Sequence, residues 1–217
     1  MKLPALFAAA ILAAATQAAW AADPLDSRID GLAAAWAHAN YEVHDPAAEA
    51  TEVAKVAAQA AAVAQQYPGR AEPLVWQAIA TATEGGVKGG LGGLALAKEA
   101  RGLLEKAEKL NPNALDGSIY TTLGSLYAQV PGFPIGFGDA AKAKANFAKA
   151  LAINPTGVDA NFFYGDFLIR QGDYAGAVKA LERAANAPAR PGREVADRGR
   201  HAETLALLAK ARAKLHG

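Results

Sequence analysis

The chain has 217 residues, 22 Lys+Arg against 21 Asp+Glu, a hydrophobic content of 52% and no cysteine. So even a charge balance gives no electrostatic case for nucleic acid or an anionic membrane as partner. The missing cysteine excludes disulfides, thiolate metal sites and cysteine nucleophiles.

Residues 1–21 read MKLPALFAAAILAAATQAAWA. A single cation at Lys2, a short apolar run and small residues around Trp20 are the layout of a secretory signal peptide. Thr16 and Gln17 interrupt the run, which is short for a membrane span. Removing this leader takes away Lys2 and no acid, so residues 22–217 would carry 21 cations and 21 anions. The mature chain is expected to be one all-α domain without a transmembrane segment, exported to the periplasm with no cysteine for a lipid anchor.

Alanine and leucine dominate the remainder, β-branched residues are sparse, and no segment sustains strand alternation. Residues 25–66 form a helical start, in which His44-Asp45-Pro46 reads as a turn with an Asp cap. Beyond it the chain repeats itself, over about 72–112, 116–155 and 159–188. Ala100, Leu104, Ala107 and Pro112 are spaced 4, 3 and 5. Ala143, Phe147, Ala150 and Pro155 repeat that spacing, as do Ala177, Leu181, Ala184 and Pro188 with the last gap one shorter. A small–large–small stripe on one helical face admits a close neighbour around one bulky side chain. The helices before these also correspond: Tyr120, Leu123, Gly124 and Tyr127 match Asn161, Tyr164, Gly165 and Leu168, with Trp76, Ile79, Ala80 and Thr83 as a weaker third set.

Two of the three turns are longer than the tight one. Gly165 to Ala177 is 12 residues, whereas Gly124 to Ala143 is 19 and Ala80 to Ala100 is 20. The surplus lies in QVPGFPIGFGD (Gln129–Asp139) and EGGVKGGLGGL (Glu84–Leu94). Both read as glycine-rich inserts on one edge of the stack, where solenoids tend to carry their binding loops. The first is also apolar, through Val130, Phe133, Ile135 and Phe137. Asp116, Asp159 and Glu72, each four residues after a proline, read as caps and dipole partners at helix starts, and Asp139 and Asp173 likewise. Near the end, Arg190, Arg193, Arg198 and Arg200 read as a solvated face laced with Glu194–Arg198 and Asp197–His201 pairs. The final segment, 193–215, reads as a capping helix.

The pattern aromatic–x–x–large–Gly/Ala–x–x–Tyr followed by Ala–x–x–x–Phe–x–x–Ala–x–x–x–x–Pro resembles the tetratricopeptide repeat (TPR), most clearly in NFFYGDFLIRQGDYAGAVKALERA (Asn161–Ala184). The resemblance implies a helix-turn-helix solenoid whose first helices line a concave groove. Carried over by matching positions, that groove takes Gln77, Thr81 and Glu84, then Thr121, Ser125 and Gln129, then Phe162, Asp166, Ile169 and Arg170. Folding the apolar loop over the groove would add Phe133 and Phe137 above Tyr120 and Tyr127; the other reading is that both phenylalanines plug the gap between neighbouring helices. With its leader, GGLGGLALAKEA, LYAQVPGFPIGFGD and NFFYGDFL, the chain further resembles the TPR component associated with TRAP-type transporters. That likeness implies a non-enzymatic accessory that binds a periplasmic solute-binding protein, a small organic ligand, or both, usually as a homo-oligomer. The alternative is a general cell-envelope scaffold that recognises peptide segments.

Other chemistries lack their residues. Lys88 precedes Gly89-Gly90 with no hydroxyl after it, so the glycine-rich stretch is not a phosphate loop. His38 and His44 fall on different helical faces, and no HExxH occurs. Gly124-Ser125 lacks the GxSxG elbow. No cofactor and no metal are expected.

Overall fold

The computed structural model describes residues 23–216. The leader read over 1–21 lies outside them. The described residues form nine α-helices: α1 (Pro24–Tyr41), α2 (Pro46–Gln66), α3 (Glu72–Lys88), α4 (Gly90–Leu110), α5 (Ser118–Gln129), α6 (Ala140–Ile153), α7 (Val158–Arg170), α8 (Tyr174–Ala185) and α9 (Glu194–His216). No helix among them is long and apolar enough to cross a membrane.

Local chemistry sets where the helices begin. Asp23, Asp45, Asp139 and Asp173 each accept a backbone N–H of the first turn that follows, at 2.8–3.0 Å. Pro24 and Pro46 occupy the first helical position, where a missing N–H removes no bond. Pro112, Pro155 and Pro188 follow the ends of α4, α6 and α8 within three residues.

Pairing follows the stripes. Ala100, Leu104 and Ala107 are fully buried, as are Ala143, Phe147 and Ala150, and Ala177 and Leu181. The small residues opposite are what let each pair close. A Cβ at Gly124 would stand 2.8 Å from the Phe147 ring, and one at Gly165 would stand 2.6 Å from Leu181 Cγ. Antiparallel pairs α3/α4, α5/α6 and α7/α8 therefore stack as the TPR pattern requires, and α1/α2 precede them. The architecture is an all-α, TPR-like solenoid closed off by α9.

The stretch Glu84–Leu94 departs from the expected loop. It is helical on both sides of a single break at Gly89, where Gly89 and Gly90 take φ of +61° and +56°. Gly85 and Gly93 then touch, so that a Cβ on Gly93 would collide with the Gly85 carbonyl oxygen. Here glycine serves close approach of two helices rather than chain reversal, so the surplus residues lengthen α3 and α4. Lys88 is held by Glu84 at 2.6 Å.

The stretch Gln129–Asp139 does leave the helix. It is braced internally, with Gly138 N–H donating to Pro131 O and Asp139 N–H to Tyr127 O, both at 2.9 Å. Phe137 packs edge-on against Tyr127, 5.6 Å between centroids, and under the Arg101 guanidinium at 4.4 Å.

Asp116, Asp159 and Glu72 accept no capping hydrogen bond, although Asp159 and Glu72 do stand in the first turns of α7 and α3, where a negative charge meets the helix dipole. Asp116 lies in a 3-10 turn, Ala114–Gly117, with φ +52° beside Leu115 at +51°, and α5 begins only at Ser118. The chain spends these residues seating Gly117 against Ala150 of α6, where a Cβ would come within 3.2 Å of its carbonyl. Asp159 lies inside α7 and turns its carboxylate to Arg190 and Arg200. Glu72, the first residue of α3, pairs with Arg70 at 3.2 Å.

Candidate functional site

The first helix of each pair faces inward. In chain order α1, α3, α5 and α7 each touch the next but one, and α9 packs on α7, α8 and α1. The inner helices therefore form a ring around a cavity of about 860 Å³. Most of the ring's contacts are the ordinary contacts of a solenoid. The seam between α9 and α1 is the exception, and it is made at Tyr41. That ring lies directly on Gly199, leaving no room for a Cβ, and its hydroxyl donates to Glu203 Oε2 at 3.2 Å. Burial pushes the Tyr41 phenol above its usual pKa, so at neutral pH it remains a donor. Ala196 of α9 joins the α1 core of Leu25, Ile29 and Trp36.

One wall of the cavity is aromatic. Trp36 and Trp76 lie 6.2 Å apart on α1 and α3, and Phe162 packs on Phe163 at 5.0 Å on α7. Trp36 Nε1 donates to Thr83 Oγ1 at 2.9 Å. A charged cluster packs against these rings. Arg190 Nη1 donates to Asp159 Oδ2 at 2.7 Å and Arg200 Nε to Asp159 Oδ1 at 2.9 Å. Arg200 also reaches Glu203 at 2.6 Å and lies over the Phe162 and Phe163 rings at 4.3 and 4.7 Å. Burial pushes the Asp159 carboxyl upward, but Arg200 and Arg190 outweigh it and hold it below the usual carboxylate range.

Arg190, Arg193 and Arg200 thus face the groove instead of forming a solvated surface, while Arg198 is exposed. Asp197 takes Arg190 Nε at 2.8 Å rather than pairing with His201, because the turn before α9 folds Arg190 back over it. Nothing local in the sequence signals this, since Asp159 stands 31 and 41 residues from its partners.

Of the groove residues read from the repeat, Thr121, Ser125, Gln129, Phe162 and Asp166 line the cavity. Gln77 and Thr81 do not. The inward face of α3 runs Trp76, Ile79, Thr83 and Val87, two residues out of register with the glycine-based alignment, and Thr81 is buried between helices. Arg170 lies outside, paired with Asp166 at 2.8 Å. Tyr120 belongs to the core between α3, α4 and α5. Tyr127 and Phe137 pack on each other away from the cavity, and Phe133 is 93% exposed. The apolar loop therefore does not roof the groove; its backbone bonds to Tyr127 and within itself hold it on the other side. Missed by the repeat reading were Trp36, Tyr41, Arg190, Arg193 and Arg200. Among the described residues no group of His, Asp and Glu could hold a metal ion.

Residues 135–197 match the tetratricopeptide repeat family. No curated protein matches the chain. Among solved structures, a thermophilic TPR protein of Thermus thermophilus is similar, at 18% identity over 75% of this chain and 82% of that one, with a TM-score of 0.54. MamA is also similar, at 18% identity over 76% and 90%, with a TM-score of 0.45. In fold, then, this is a TPR solenoid, a class whose concave surfaces receive protein partners.

Proposed function

We propose that the chain is a non-enzymatic periplasmic TPR binding protein, an accessory of a TRAP-type solute-transport system that takes a small organic ligand into its ring and passes it to or from a partner protein. The observation that carries this is the cavity inside the ring of helices. Its volume of about 860 Å³ falls in the range of small-molecule sites, and its lining is mixed aromatic and polar, as such sites are. Because α9 meets α1, a partner segment laid along the groove, as in an open solenoid, would have to part that seam. The leader-like start and the repeat motifs support the envelope location.

The test is native mass spectrometry of the protein purified from its own periplasm. A bound small molecule is expected, lost in Ser125→Trp, which fills the cavity from α5, while far-ultraviolet circular dichroism is unchanged. A ligand-free protein in every preparation, with a partner still captured by Ser125→Trp, would overturn the reading.

The second reading, a general envelope scaffold, is favoured by Phe133 and Ile135, 93% and 65% exposed on a braced loop. Shortening residues 130–138 would then abolish partner capture and leave the cavity ligand in place.

A further inference from the structure

Three of the large apolar side chains that the described residues expose sit together on one edge of the stack. Phe133 and Ile135 stand out from the loop between α5 and α6, and Leu91, 84% exposed, opens α4 at the neighbouring turn. Leu91 lies one helical turn ahead of Leu94 on the same face, and a Cβ at Gly136 would come 3.3 Å from Leu94 Cδ1. The apolar residues of the loop divide between two sides. Val130 and Phe137 pack on the core of α3, α4 and α5, while Phe133 and Ile135 face away from it. The division is held by the backbone: Ile135 and Gly136 N–H both donate to Gly132 O, at 3.2 and 3.1 Å, closing a turn around Phe133 and Pro134.

What covers such a tip is limited by its size, its charge and its backbone. The three side chains present an area on the order of 400 Å². That is about half of the 800 Å² that each partner contributes to a stable protein interface, so a second copy or a folded protein gains too little here. Charge is settled within the turns. Lys88 meets Glu84 at 2.6 Å and Lys142 meets Asp139 at 3.9 Å, and the stretches 84–94 and 129–142 hold no other charged residue. The backbone is closed as well. Pro131 and Pro134 have no N–H, and those of Val130, Ile135, Gly136, Gly138 and Asp139 bond within the loop or to α5, so an added strand finds few donors. One medium takes up apolar area without asking for charge or a complementary shape, and tolerates only backbone that is already bonded. It is the interface of a lipid bilayer.

We propose that Leu91, Phe133 and Ile135 insert together into the interface of a phospholipid bilayer and seat the protein on a membrane surface by this edge of the stack. The described residues offer no spanning helix for that purpose and the sequence no cysteine for a lipid. Insertion is driven by apolar area, which is why it is compatible with the even charge balance of the chain, and zwitterionic lipid serves as well as anionic lipid. Lys88 and Lys142, each more than half exposed at the base of the tip, have stems long enough to keep their ammonium groups among the headgroups. Seating on the membrane is independent of what the cavity holds, since the loop packs away from it.

Flotation of the purified protein with phosphatidylcholine vesicles is the test. The protein should rise with the vesicles, adding phosphatidylglycerol to them should change the bound fraction by less than about twofold, and about 1 M salt should not release it. Phe133→Ser combined with Ile135→Ser should weaken partition about tenfold or more, and Leu91→Ser by a smaller factor. Melting temperatures should not change, because these side chains are exposed, and Leu205→Ser, at an exposed apolar site on α9, should leave flotation as it was. Phe133→Trp should keep binding, with emission that shifts to the blue on vesicles and is quenched by brominated phosphatidylcholine. Protein that stays at the bottom of the gradient overturns the proposal. So does flotation that is equal with and without Phe133→Ser and Ile135→Ser, which puts the contact elsewhere, or flotation that needs phosphatidylglycerol and vanishes in salt. A dimer or a complex with another protein that depends on Phe133 and Ile135, in protein that does not float, assigns the tip to a protein partner and overturns it too.

Discussion

At Asp159 one carboxylate meets two guanidiniums, and the Arg200 side chain behind it is only 7% exposed. Removing the charge leaves Arg200 with Glu203 alone and Arg190 with Asp197. Breaking a buried pair costs about 3–5 kcal/mol, but Asp159 is itself a third exposed and these second partners remain, so Asp159→Asn should cost on the order of 2 kcal/mol at neutral pH. The sign with pH follows from the lowered carboxyl pKa: the stabilisation is complete above the unfolded-state value of about 4 and is lost as pH falls through the folded-state value. Urea unfolding of protein and variant from pH 7 down to pH 2 should show the gap narrowing below pH 4; a constant gap would mean the carboxylate's charge is not what matters. This cluster is the part of the site the sequence hides. Each arginine has local carboxylates to pair with on paper, and only the fold decides that distant Asp159 is preferred.

Among the elements, the helix pairs were legible because their signal is steric and periodic. A small–large–small stripe leaves few ways to pack, and Gly124 and Gly165 meet Phe147 and Leu181 as the spacing demands. Two glycines in helices make opposite predictions from this. Gly102 of α4 has nothing within 4 Å of the place a methyl would take, so Gly102→Ala should stabilise by up to about 1 kcal/mol. Gly165→Ala gains the same propensity but drives a methyl into fully buried Leu181, and overpacking of about 1–3 kcal/mol should make it a net loss. Thermal unfolding followed by circular dichroism should move the two midpoints in opposite directions. The stretch Glu84–Leu94 was misread for a related reason. Glycine marks a bend in one setting and a close contact in another, and Gly85 against Gly93 is visible only once α3 and α4 are paired. The same ambiguity shifted the inward face of α3 by two residues, since Ala80 carries no glycine's unambiguous mark.

The whole molecule depends on the meeting of α9 with α1. A methyl at Gly199 would overlap three atoms of the Tyr41 ring, more than any rotamer of a packed tyrosine can absorb at no cost. Gly199→Ala should therefore part the seam while sparing the helix pairs. Hydrogen exchange should quicken in α9 and the end of α1 but not in α6 or α8, and loss of protection throughout would mean that the seam holds up the fold rather than the ring. Periodicity could assign α9 the role of an end cap, but not its return to the beginning, because no residue of a repeat encodes the accumulated turn of the stack.

That return has a numerical consequence. Open solenoids can gain or shed a hairpin during evolution and merely grow or shrink. Here Tyr41 and Gly199 meet only when the right number of hairpins lies between them, so the tally of repeats, the girth of the chamber and the size of any molecule it encloses are locked to one another.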